Sequence, residues 1–200
     1  MPKSLIVYAS YTGNTEKVAM VFKRVFEKYG WECDAFKITK KTDFEHPPYD
    51  YSKYDFVCIG SLVASSEPVP EIMDAMRKNP LSAHYKTPDG KAEGYRKVTA
   101  GPKKGIVFAT AGCVHMGPKE PLPALMNMAL ELEHLKFLCV GQFWCPGKMF
   151  DRPMPEYFYK DLHLRPHERD LKKAEIFMEE TIEENYGDWE IRGSAGGTGA

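Results

Sequence analysis

Apolar positions along the chain fall into two kinds of pattern. Four short runs are apolar without alternation: Leu5-Ile6-Val7-Tyr8, Phe56-Val57-Cys58-Ile59, Ile106-Val107-Phe108-Ala109 and Phe137-Leu138-Cys139-Val140. Strands buried on both faces read this way, because neither face has to meet water. A fifth stretch, Glu32 to Ile38, does alternate and predicts an edge strand with one wet face. Between these runs the period changes to that of a helix. Val18, Val21, Phe22, Val25, Phe26 and Tyr29 form one stripe, closed by Gly30. A second helix is predicted from about Glu71 to Lys78. A third starts near Pro121, with Leu122, Leu125, Met126 and Ala129 as its apolar side. The last starts near Glu168 and carries Leu171, Ala174, Met178 and Ile182. Thr39 to Lys53 is polar and Pro-bearing, and reads as a connection with at most a short helix.

Strands alternating with helices predict an α/β protein with a parallel sheet covered on both faces. Five strands suit a three-layer, doubly wound sheet of order 2-1-3-4-5, whose ligand crevice lies at the carboxyl ends of the strands. One domain is expected over residues 1–187. Residues 188–200 have the composition of a linker and are expected to be a disordered tail.

Composition narrows the function classes. There are 27 basic and 28 acidic residues, which speaks against nucleic acid or an anionic membrane as partner. The apolar runs are far shorter than a membrane span, and the first is too short for a signal sequence, so a cytoplasmic protein is the expectation. The five cysteines have no C-x-x-C spacing, which removes support for a disulfide scaffold or a structural zinc site. Cys58 and Cys139, inside apolar runs, read as core residues. His163 and His167 are four apart, but Pro166 argues against a helix that would join them in a metal site.

The most informative stretch runs from Ile6 to Ala19. A buried strand ends, Ser10-Tyr11-Thr12-Gly13-Asn14-Thr15 follows, and an amphipathic helix begins at once. Unpaired N–H groups and a partial positive charge at a helix N-terminus suit an anion. Short hydroxyl and amide side chains add donors, and glycine lets the backbone approach. No lysine stands where a triphosphate P-loop needs one. From the residues alone, an ordinary capped strand–turn–helix is an equal reading.

This stretch resembles the flavodoxin phosphate motif, matching at Ile6, Val7, Tyr8, Ser10, Thr12, Gly13, Thr15 and Ala19. The resemblance implies a flavodoxin-like fold and FMN as cofactor, its phosphate held by Ser10, Tyr11, Thr12, Gly13, Asn14 and Thr15. It also implies that the loops after the third and fourth strands flank the flavin, through Ser61, Leu62, Val63 and Ala64, and through Ala111, Gly112, Cys113 and His115. Flavodoxins typically stack the ring between aromatic side chains from these loops, and here neither loop has one. Leu62, Val63, His115 or Met116 are the candidates to pack on the ring instead. Gly141 to Lys148 is expected to follow the fifth strand at the same end, and resembles the Phe-x-Cys-x-Gly-Lys segment of a branch of short flavodoxin-family proteins. That would make Cys113 and Cys145 neighbours.

Two insertions complete the chain. Asn79 to Lys104 is lysine-rich and is expected as a solvated loop at the end opposite the cofactor. Met149 to His167 leaves from the cofactor end with Phe150, Tyr157, Phe158 and Tyr159, and reads as a cover for the flavin, a docking surface or plain packing. No catalytic residue and no metal ligand is named. The resemblance implies an electron-transfer protein shuttling electrons between redox partners, with an FMN-dependent NAD(P)H oxidoreductase acting on quinones or similar small acceptors as the alternative. A scaffold without flavin is a third reading. The partner is thus a redox protein or a small-molecule acceptor, and a homodimer stays open.

Overall fold

The five segments expected as strands form one parallel sheet. The computed structural model describes residues 1–82, 103–112, 114–148 and 165–187. In chain order the elements are β1 (Lys3–Ala9), α1 (Asn14–Lys28), β2 (Glu32–Ile38), a 3-10 turn at Tyr51–Lys53, β3 (Phe56–Ala64) and β4 (Glu67–Pro68). Then come α2 (Pro70–Arg77), β5 (Lys104–Ala111), a 3-10 segment at Val114–Lys119, α3 (Pro121–His134), β6 (Leu138–Pro146) and α4 (Glu168–Tyr186). The parallel order is β2-β1-β3-β5-β6, the doubly wound arrangement. One strand was not anticipated: two-residue β4 folds back on β3 as an antiparallel hairpin.

Alternation along each strand divides the core in two. Leu5, Val7, Val57, Ile59 and Val107 point to one face, where α2 and α3 cover them with Ile72, Met76, Leu125, Met128 and Leu132. Ile6, Tyr8, Cys58, Ile106 and Phe108 point to the other, covered by α1 and α4 through Phe22, Phe26, Ala174 and Met178. Phe22 sits edge-on to Phe108 at 5.0 Å between ring centres, a geometry that aromatic quadrupoles favour. Gly60 is where the second layer tightens: a Cβ there would collide with the Phe108 ring.

Two expectations need correction. Gly141 to Pro146 is not a loop after the last strand but its second half. Gly105 pairs with Cys139 and Ile106 with Gly141, so Val140 is the extra residue of a bulge. Beyond it Phe143 and Cys145 enter one core while Trp144 packs against the other. As an edge strand with mixed residues, this half lacks the continuous apolar run that marks the central strands. On α3 the buried side is Ala124, Leu125, Met128 and Leu132, whereas Leu122 and Met126 face outward. Of the two core cysteines, Cys58 is fully buried and Cys139 only partly. Residues 83–102, 149–164 and 188–200, which hold most of both insertions and the tail, lie outside the described residues.

Candidate functional site

The turn between β1 and α1 is built around Gly13, whose φ of +81° is left-handed and has open space on its Cβ side. Lys17 N–H donates to Gly13 C=O at 3.1 Å, the first helical bond. The N–H groups of Asn14 and Thr15 precede it and have no carbonyl within the helix to bond. Glu16 N–H is taken by Ser10 Oγ at 3.3 Å. The Glu16 carboxylate lies in this positive first turn, yet its charge is paired from outside by Lys37 Nζ at 2.7 Å, and it also accepts from Tyr8 Oη at 3.2 Å. Lys37 holds its carboxyl below the usual range.

The side chains of the loop are used in different ways. Thr12 is exposed. Asn14 is buried and donates from Nδ2 to Lys148 C=O at 3.0 Å, tying the loop to the end of β6. Thr15 is fully buried and shares a 2.8 Å hydrogen bond with Thr110. Tyr11, 45% exposed, donates to Glu71 Oε1 at 2.9 Å, and partial burial with this contact pushes its phenol up to about 12.

Around this turn lies a cleft of about 570 Å³. Thr12 and Asn14 form one wall, and Leu62 to Ser66 of the β3–β4 hairpin another. Thr110, Ala111 and Gly112 from the end of β5, Met116 and Glu120 before α3, and Gly147 and Lys148 after β6 complete it. The hairpin is a two-residue turn, Val63 opposite Pro68 and Ala64 opposite Glu67. Both central residues, Ser65 and Ser66, have positive φ, 53° and 64°, the pattern of a type I′ turn that usually takes Asn-Gly. Asn127 of α3 holds Glu67 at 2.6 Å and so fixes the hairpin tip.

Of the expected site residues, Thr12, Asn14, Leu62, Val63, Ala64, Ala111 and Gly112 line this cleft together. Ser10, Gly13 and Thr15 shape the turn beside it. Ser61 has a structural part: its Oγ donates to Leu62 C=O and accepts from Val69 N–H, which fastens the hairpin to the start of α2. Cys113 and the side chain of His115 lie outside the described residues, as do the four aromatics of the second insertion. Cys145 is not poised for chemistry, because burial pushes its thiol up to about 12. Ser65 and Ser66 fall in the loop expected to flank the cofactor, and Gly147 and Lys148 in the segment expected at the same end, though none of the four stands among the expected cofactor-binding residues; Glu120 was not expected. Position at a strand's carboxyl end was the available signal for Lys148, and it required the full length of β6 to read. Among the described residues lining the cleft none is aromatic, and no group of three potential metal ligands occurs.

No protein-family model and no curated protein matches the sequence. Solved structures do. Flavodoxin 2 from Bacillus cereus shares 19% identity at a TM-score of 0.59, over 91% of this chain and 99% of that one. A flavodoxin, WrbA-like protein from Agrobacterium tumefaciens shares 13% at 0.56, over 92% and 98%. A flavone reductase shares 10% at 0.61, over 92% of this chain and 62% of the other. At these identities the likeness is one of architecture, and with the sheet order it establishes that this chain has the flavodoxin-like fold.

Proposed function

We propose that the cleft holds FMN, with its phosphate at the N-terminus of α1 and its ring between the β3–β4 hairpin and the segment after β5. The observation that carries this reading is the pair of helix-leading amides at Asn14 and Thr15, beside the exposed Thr12 hydroxyl and a left-handed glycine. This donor set suits a dianionic phosphate. The cleft volume is in the range of cofactor sites. Leu62, Val63 and Met116 supply apolar contact for a flat ring, the methionine through its polarisable sulfur. The bound flavin supplies one- and two-electron chemistry; this chain binds, orients and shields it.

With no nucleophile–base pair among the described cleft residues, the activity rests on the flavin, and electron transfer between redox partners is the function it supports best. A second reading, an NAD(P)H oxidoreductase for small flat acceptors, draws on Met116, 45% exposed beside the cleft. Titrating FMN into purified protein tests the first claim. Saturable quenching of flavin fluorescence, weakened by Thr12→Val, is expected, and unchanged fluorescence refutes it. Anaerobic bleaching by NADPH or NADH alone would favour the oxidoreductase over the carrier.

A further inference from the structure

We propose that the outward face of α3 is a docking surface for a second copy of this chain, the two helices packing antiparallel about a two-fold axis at Met126. Leu122, Met126 and Leu130 lie on successive turns and are 42%, 65% and 53% exposed. Together they form an apolar ridge on the side of the helix away from the sheet, opposite the buried Leu125, Met128 and Leu132. Single exposed apolar residues are ordinary, but an aligned row of them is a contact surface in search of a partner.

What identifies the partner is that this face is its own complement. Measured from Met126, Leu122 and Leu130 stand four residues to either side, and Pro123 and Ala129 three. Lys119 and Glu133 stand seven to either side. A two-fold axis at Met126 therefore sets Leu122 against Leu130 of the second copy, and the small Ala129 against Pro123. It also brings Lys119, which ends the 3-10 segment just before α3, to the end of the seam where Glu133 of the second copy lies, twice over. Both charges are exposed, and neither has an ion-pair partner among the described residues. The alternation of three- and four-residue steps is the spacing of a helical seam crossing at about +20°. Isologous contacts of this kind are the usual route to dimers. With a formal net charge of −1, the chain opposes self-association only weakly. A contact of about three helical turns is small among stable interfaces, so the association is concentration-dependent.

The surface is independent of what the cleft holds, and its test does not use the cofactor. Sedimentation velocity of the full chain over a micromolar series is expected to show a monomer–dimer equilibrium. Lys119→Glu and Glu133→Lys, each alone, place like charges opposite each other and are expected to weaken the dimer by about tenfold or more. Mixing the two single variants in equal amounts is expected to restore it, because every acidic position then meets a basic one. Met126→Glu is expected to abolish it, with circular dichroism confirming that each variant is folded. A wild-type chain monomeric throughout the series overturns the proposal. So does a dimer that survives Met126→Glu, or single variants that do not complement on mixing; these would give the face to another segment or another protein.

Discussion

Thr15 Oγ1, in the first turn of α1, lies 2.8 Å from Thr110 Oγ1 at the end of β5, and both side chains are buried. This hydroxyl, at a position of the phosphate motif, is therefore spent on joining two walls of the cleft. The motif's two threonines separate into different jobs, and substitutions can tell them apart.

Thr15→Val leaves the Thr110 hydroxyl buried without its partner, which should cost about 1–3 kcal/mol. The expected readout is a lower midpoint in urea unfolding. Thr12→Val should leave that midpoint unchanged while weakening FMN binding. Equal effects of both variants on stability would contradict this division.

Ser65 and Ser66 hold positive φ at the hairpin tip, a conformation that costs a side-chain-bearing residue about 1–2 kcal/mol. Replacing the pair with Asn-Gly supplies residues that tolerate it. A gain in stability of about 1 kcal/mol is expected by denaturant unfolding. A loss would show that the serine side chains hold the turn by contacts of their own.

Gly60→Ala forces a methyl group into the Phe108 ring inside a closed layer. Displacing that ring also disturbs its edge-on contact with Phe22. Overpacking of this kind should destabilise by about 1–3 kcal/mol, read as a lowered melting temperature.

High pH should destabilise the protein, in part through its buried thiols. Burial pushes Cys33 up to about 11 and Cys145 up to about 12, from an ordinary value near 9. A raised pKa in the folded state keeps the thiol neutral where the unfolded chain would ionise it. Its contribution is full below about pH 9 and is lost as pH rises toward the folded values. Melting temperature should therefore fall across this window, and less steeply in Cys145→Ala. A flat profile would count against the burial of these thiols.

How far the sequence was legible follows from what each segment has to bury. The central strands β1, β3 and β5 are covered on both faces, so their continuous apolar runs announced them. The β1–α1 turn was equally plain, because its glycine and its polar side chains answer local needs at positions 10–15. Edge strand β6 reads short from sequence, ending at Val140, where a bulge resets the alternation and no residue from Leu138 to Gln142 is fully buried. On α3, two apolar rows compete on one helix, and periodicity cannot say which of them meets the sheet. The Ser65-Ser66 turn gave no signal because its residues are not the ones that such a turn prefers. The segment ending at Lys148 was legible as lying at the cofactor end, but its contact with Asn14 is tertiary and lies beyond the reach of local pattern.

That last contact bears on the order in which the protein is made. Asn14 grips the backbone of Lys148 at 3.0 Å, and the Lys148 N–H in turn donates to Arg165 C=O at 2.9 Å, at the doorstep of α4. The cleft wall translated first is thus fastened in stages, to Glu71 60 positions later, to Thr110 95 later and to Lys148 134 later. A growing chain carries this turn early but can fasten it to the far side of the cleft only once β6 has been made.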